Sequence, residues 1–352
     1  MVKLFVSYKK NNFFLVFNKM ILFVENYKIF QNWASKTYPF KCQALKDDPR
    51  IDTYDFGNSL RNINYNDYET IIFGWHGIPI NKYYTRNHAF YSNYIEHLED
   101  EETVNEIIEP LISCNNIKKY IMVQDLHNED YKDGLKGLIS YLNKYNITGI
   151  ITPYKNTKNI NTVLSATKNL KVIWIPHHID TQYFKNYNQE KKYDVLLYGN
   201  DNTKYYSFRN RVINLLLEEG KNNGIIVHRI PRPRNYFRYN AAISNANLSK
   251  LISRSRLTLC TSSCLDYLLG KYFETSFSGS VILGNMPEDG KQIWKNNYVH
   301  IDNNMSDNQI IETISNALND EELLKTISSN MYKVTTSNFP LSSFVDHLGD
   351  QL

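Results

Sequence analysis

Short apolar runs alternate with longer amphipathic ones along most of the chain. Lys3 to Ser7 (KLFVS), Tyr68 to Gly74 (YETIIFG), Lys119 to Val123 (KYIMV), Gly149 to Thr152 and Val172 to Ile175 are short and apolar, and the last two are closed by Pro153 and Pro176. Such runs predict buried strands. Phe14 to Val24 supplies another strand or a buried helix. Glu101 to Ser113 is a helix candidate, and Tyr131 to Tyr145 places Leu135, Leu138, Ile139 and Leu142 on one helical face. After Pro176 the alternation restarts. Tyr193 to Tyr198, Ile225 to Ile230 and Tyr298 to Ile301 read as strands, while Phe208 to Glu219, Asp307 to Leu318 and Glu321 to Met331 read as helices. A surface loop is expected after Gly284.

Strands that alternate with helices argue for parallel sheets with helices on both faces. Ligands of such sheets collect beyond the C-terminal ends of the strands. His76, Asp125, His127 and the loop from Gly199 to Asn202 all follow strands in that way. At 352 residues the chain has room for two domains, each with its own core. No internal repeat or low-complexity linker separates the halves.

The composition, 42% hydrophobic and 22% charged, is that of a globular chain. A net charge of +4 gives no reason to expect a nucleic-acid partner. The basic and aromatic loop Pro231 to Tyr239 (PRPRNYFRY), with Arg229 before it, is read instead as lining for a cleft. Cys42, Cys114, Cys260 and Cys264 are too few and scattered for a disulfide framework, so a reducing, cytoplasmic compartment is expected. Cys260 and Cys264 have no second Cys or His pair nearby at zinc-site spacing. Phe13 to Val24 (FFLVFNKMILFV) is interrupted by Asn18 and Lys19 and falls short of the ~20 apolar residues of a membrane span. No membrane span is expected, and peripheral association stays open.

The most informative stretch is Asp266 to Gly284, DYLLGKYFETSFSGSVILG. It reads as a helix stopped by Gly279, followed by the buried strand Val281-Ile282-Leu283. Seven residues separate Asp266 from Glu274, which puts the first acid near or just before the helix start and the second on its body. Acids so placed can hold sugar or ribose hydroxyls, and the free N–H groups of a helix start attract phosphate. This order, an acid, seven residues, Glu, then Gly-x-Val-Ile, resembles the donor-binding signature of GT-B-fold glycosyltransferases, notably the retaining group 1 class (family 4-like) and its spore-coat-like relatives. Pro176 to Phe184 (PHHIDTQYF) is similar to the segment joining the two domains of that family, with Pro176, Ile179, Asp180 and Phe184 at matching places and His178 where glycine is usual. Asn247 to Ser253 and Leu257 to Cys260 resemble the family's short helix and the strand after it.

The resemblance implies a GT-B fold, two Rossmann-like domains with parallel sheets facing across a cleft. Residues 1–180 would form the acceptor-side domain, 181–338 the nucleotide-sugar-binding domain, and 339–352 a segment crossing back to the first. Glu274 would bind the donor's ribose hydroxyls and Asp266 its sugar, beside Gly279 and Gly199. Positive charge for the donor diphosphate would come from Lys204 or Arg209, with Lys271 within reach of phosphate. The family's Arg after the glycine is Asn200 here, and its glycine three residues after the first acid is Leu269. His76 and His127, with Asp125 beside the latter, are candidates to orient the acceptor or steady charge at the reacting centre. His177 and His178 are read as structural.

The expected activity is transfer of a sugar from a UDP- or GDP-linked donor to a hydroxyl of a glycan, protein or small-molecule acceptor, with retention, no cofactor and no essential metal. The alternative is a non-catalytic nucleotide-sugar or glycan binder of the same fold. A GT-B epimerase would need first-domain carboxylates that the sequence does not single out. Serine nucleophile elbow, phosphate-cradling loop and dinucleotide fingerprint are all absent, which argues against hydrolase, P-loop and dehydrogenase readings.

Overall fold

The computed structural model describes residues 21–25, 27, 37–55, 64–75, 109–124, 126, 131, 133–230 and 243–352. The run Lys3 to Ser7, the residues His76, Asp125 and His127, and the loop Pro231 to Tyr239 lie outside them, as does most of the Glu101 to Ser113 helix candidate.

Two parallel sheets organise the chain. The first contains β1 (Ile21–Glu25), β2 (Ile51–Asp55), β3 (Thr70–Phe73), β4 (Lys118–Met122), β5 (Gly149–Thr152) and β6 (Lys171–Trp174), in the order β2-β1-β3-β4-β5-β6. Helix α1 (Thr37–Asp47) connects β1 to β2, α2 (Gly134–Lys144) precedes β5, and α3 (Lys158–Ala166) connects β5 to β6. β1, β3 and β5 are buried along nearly their whole length, because helices cover both faces. One face packs Leu22, Ile71, Ile121 and Ile150 against Leu135, Leu138 and Leu142 of α2. The other packs Phe23, Ile72, Tyr120, Ile151 and Ile173 against Tyr38 and Leu45 of α1.

The second sheet has the order β11-β10-β9-β7-β8. Its strands are β7 (Tyr193–Leu197), β8 (Val227–Arg229), β9 (Ser255–Leu259), β10 (Val281–Gly284) and β11 (Val299–His300), joined by α4 (Thr203–Glu219), α5 (Asn245–Ser253), α6 (Gly270–Phe277) and α7 (Glu288–Trp294). Helices α8 (Asp307–Asn319) and α9 (Glu321–Asn338) close this half. Ser306 and Gln309 form a reciprocal capping box at the start of α8, satisfying N–H groups the helix leaves open. α6 ends where the sequence places its stop: Gly279 has φ +75°, and a Cβ there would collide with Asn186 at 2.7 Å.

Pro176 to Phe184 joins the halves and also holds the end of the chain. Ile179 N–H donates to Phe339 O at 3.0 Å, and Leu341 N–H to Ile179 O at 2.9 Å. The last helix, α10 (Phe344–Gly349), then buries Phe344 and Leu348 in the core beneath the first sheet. His178 serves this joint. Its Nδ1 donates to Pro176 O at 2.8 Å, which leaves Nε2 to accept from His347 Nδ1 of α10 at 2.9 Å. Burial pushes its pKa down to about 3, so the ring stays neutral.

The surface loop expected after Gly284 is instead helix α7, whose Asp289 and Trp294 are buried. At seven residues it is too short to show helical periodicity, and its anchor is tertiary: Trp294 Nε1 donates to Thr335 Oγ1 of α9 at 3.0 Å. α1, β2 and α3 were likewise not singled out by pattern. Tyr38 and Lys41 lie on the buried side of α1, mixing polar atoms into a face that periodicity expects to be apolar.

Candidate functional site

In the second sheet β8 and β9 lie on opposite sides of β7, so the connections diverge at the C-terminal ends of β7 and β9. A crevice opens at such a point in a parallel sheet. Tyr198 and Gly199 follow β7 there, and Cys260 and Thr261 follow β9. Gly199 turns the chain with φ +96°, a conformation costly for residues with a Cβ. A Cβ at this position would stand 3.4 Å from Arg209 Nη1 and 3.6 Å from Lys271 Nζ. Two cations separated by dozens of residues in sequence therefore converge on one glycine.

Arg209 is buried and joins the two loops. Its Nη1 donates to Asn200 O at 2.8 Å, while Nε and Nη2 donate to Thr261 Oγ1 at 3.0 Å and Thr261 O at 2.7 Å. A non-helical residue at Tyr206 kinks α4, and the Tyr206 ring lies 4.1 Å from the guanidinium carbon. Lys271, from the first turn of α6, donates to Tyr198 O at 2.5 Å and lies 3.9 Å above the Tyr198 ring. Burial, reinforced by the Arg209 charge, lowers its pKa to about 7.

Glu274 stands one turn further along α6. Its Oε2 accepts from the Tyr198 hydroxyl at 3.0 Å. The side chain keeps an accessible edge, but its surroundings push the carboxyl above the usual range, opposed by the Tyr198 hydrogen bond and the Lys271 charge. Tyr198 thus ties Lys271 and Glu274 to the Gly199 turn, and Arg209 meets the same turn through Asn200.

The remaining candidates lie apart. Asp266 is exposed at φ +56° in the loop before α6, and the helix N-cap is Leu269, which offers no side-chain cap. Lys204 is exposed in the first turn of α4, its Nζ 4.9 Å from the Tyr205 ring. Gly279 is at the far end of α6, where its carbonyl accepts from Lys191 Nζ at 2.8 Å. Tyr198 and Thr261 are members of the group that the sequence did not reveal. For Tyr198 a signal existed: it is the last residue before the strand-ending glycine.

No protein-family model matches the chain, and no curated protein matches it in sequence. Solved structures match it in fold. Sucrose-phosphate synthase from Thermosynechococcus elongatus superposes with a TM-score of 0.53 at 10% identity, covering 95% of this chain and 98% of that one. Anabaena HepE in complex with UDP and glucose gives 0.51 at 11%, covering 95% and 99%. The N-terminal domain of Candida albicans trehalose-6-phosphate phosphatase gives 0.52 at 12%, covering 99% and 100%. The fold is GT-B.

In this GT-B chain several described residues join the halves. Tyr154, after β5, stacks on Tyr267 at 4.1 Å, and the Tyr267 hydroxyl accepts from Leu126 N–H at 3.2 Å. Asp289, in the first turn of α7, accepts from Lys155 N–H at 2.7 Å, Asn156 N–H at 3.0 Å and Asn156 Nδ2 at 2.6 Å. His177 of the connecting segment lies between Tyr154 and Phe273 of α6, at 5.8 and 5.9 Å. Among the described residues no helix is long and apolar enough to cross a membrane.

Proposed function

We propose that this chain is a glycosyltransferase that binds a nucleoside-diphosphate sugar in its second half and transfers the sugar to an acceptor hydroxyl presented by the first. The observation that carries the reading is the convergence of Gly199, Arg209 and Lys271 at the divergence of β7 and β9, with Glu274 beside them. A carboxylate suits a vicinal diol, because each oxygen accepts a hydroxyl hydrogen, and we assign Glu274 to the ribose. Arg209 and Lys271 face the diphosphate, whose negative charge grows as the glycosidic bond breaks. Fixed cations stabilise that charge without reorganising, so we propose transfer with no resident metal. Gly199 lets the backbone approach the phosphates. Asp266, on its exposed loop, is proposed to meet the sugar.

The HepE structure holds UDP and glucose, which favours a UDP-linked donor here. Retention of configuration, a cytoplasmic setting and acceptor handling by His76 and His127 belong to the same proposal. Lys204 is left to a second-line role in drawing the donor in.

A thermal-shift screen against UDP, GDP, ADP and CMP tests the reading, since a ligand that binds the folded chain raises its apparent stability. One nucleoside diphosphate is expected to stabilise the wild type and to lose its effect in Glu274→Ala. Stabilisation by none at millimolar concentration would overturn it. Product formation from the corresponding nucleotide sugar then separates a transferase from a pure binder.

A further inference from the structure

His177 is 7% exposed, and neither of its buried ring nitrogens, Nδ1 and Nε2, has a hydrogen-bond partner among the described residues. An unmade hydrogen bond in a buried place is costly, so such groups ask for an explanation. His178, next in the chain, spends both ring nitrogens on holding the joint. His177 does nothing of the kind. Its neighbours are aromatic carbon, Tyr154 on one side and Phe273 on the other.

The direction of the ring is informative. A Cβ at Gly270, the first residue of α6, would lie 3.6 Å from His177 Nδ1 and 3.9 Å from Glu274 Oε1. The imidazole therefore faces the N-terminal turn of α6 from the connecting segment, where Leu269 provides no side-chain cap for the open N–H groups. Those N–H groups favour an anion. Gly270 carries no side chain that would block a ligand from that turn.

We propose that His177 is a donor-binding residue, its Nδ1–H donating to an oxygen of the phosphate joined to the transferred sugar, at the first turn of α6. The inference rests on the donor-site reading above and adds a contact from outside the second sheet. Burial, with the Lys41 charge opposing protonation, holds the ring neutral, so it contributes a directed hydrogen bond rather than a third cation. Tyr154 and Phe273 belong to opposite halves, so the ring becomes accessible as they part and is sealed against the phosphate as they close. The bound phosphate would satisfy one of the two ring nitrogens that are unpartnered in the empty site.

Titration calorimetry of the wild type, His177→Leu, His177→Asn and Glu274→Ala, with the diphosphate and monophosphate of the base found in the screen, tests this. His177→Leu is expected to weaken the diphosphate roughly 10- to 100-fold, the loss of one hydrogen bond to a charged group, and to leave the monophosphate unchanged. It should also raise the melting temperature of the ligand-free chain, because two unsatisfied nitrogens are removed; a merely structural histidine would lower it. His177→Asn, which keeps an N–H near Nδ1, should recover most of the affinity. The wild type gives an independent readout, since the His177 ring nitrogen resonances should shift with diphosphate. Unchanged diphosphate affinity in His177→Leu, or unmoved His177 resonances, while Glu274→Ala abolishes binding, overturns the inference and leaves the donor site standing. A wild type that binds no nucleoside diphosphate overturns both.

Discussion

The Tyr198 hydroxyl donates to Glu274 Oε2 at 3.0 Å, so the acid proposed to hold ribose is positioned by the residue that ends β7. That bond opposes the desolvation pushing the carboxyl upward. Tyr198→Phe removes it while keeping the ring under Lys271. Nucleotide affinity is expected to fall about 10-fold, in line with one hydrogen bond to a charged group, and the acid limb of its pH profile should move to higher pH. An unshifted limb would mean that Tyr198 does not hold Glu274 ionised.

Lys271 makes binding depend on pH from the alkaline side. Its pKa in the folded chain is lowered to about 7, chiefly by burial. Bound diphosphate favours the ammonium form and raises that pKa again. Above pH 7 binding must therefore take up a proton, and affinity should fall as pH rises from 7 towards the bound-state pKa, by at most about 10-fold per unit. Calorimetry in buffers of different ionisation enthalpy should register the proton uptake, and Lys271→Met should abolish it. The stability of the ligand-free chain runs the opposite way. Between pH 7 and the ordinary lysine range the unfolded chain binds the extra proton, so this group's contribution to stability rises with pH.

Arg209 is expected to matter for the fold as well as for the donor. It ties the loop after β7 to the loop after β9 through Asn200 and Thr261. Arg209→Met keeps most of the aliphatic stem but leaves the buried Thr261 acceptors without this donor, costing about 3 kcal/mol. A clear fall in the urea midpoint with an unchanged slope would show this. An unaffected midpoint would place Arg209 in the site alone.

The sequence carried the parts of this site that depend on local order. Glu274, Gly279 and the strand from Val281 keep one register because helix, stop and strand are written within a few residues of each other. The union of Gly199, Arg209 and Lys271 is tertiary, since their separation in sequence leaves no spacing to read. Arg209 and Lys204 look alike as cations near the start of one helix, yet Arg209, after the kink at Tyr206, is buried while Lys204, before it, is exposed. The two adjacent histidines look equivalent in sequence, and only their partners separate them: His178 is bonded at both ring nitrogens and His177 at neither. The fold itself was legible from alternation, except where short or polar-faced helices such as α1 and α7 gave no period to see.

The contact between the halves yields the last prediction. Asp289 is 2% exposed and receives three hydrogen bonds from Lys155 and Asn156, the loop after β5. Two of these donors are backbone N–H groups of exposed residues, so in Asp289→Ala water replaces the carboxylate and the halves lose the bonds that joined them here. A hydrogen bond to a charged group contributes about 1.5–3 kcal/mol. The mutant should therefore open more readily at this contact. Hydrogen exchange should show the Lys155 and Asn156 amides losing protection in Asp289→Ala, while amides in β4 and β9 keep theirs. Asp289→Asn, which retains one acceptor oxygen, should fall between. Global loss of protection would instead mark Asp289 as part of the folding core, and unchanged exchange at Lys155 and Asn156 would show that the stacked pair Tyr154 and Tyr267 holds the halves together without it.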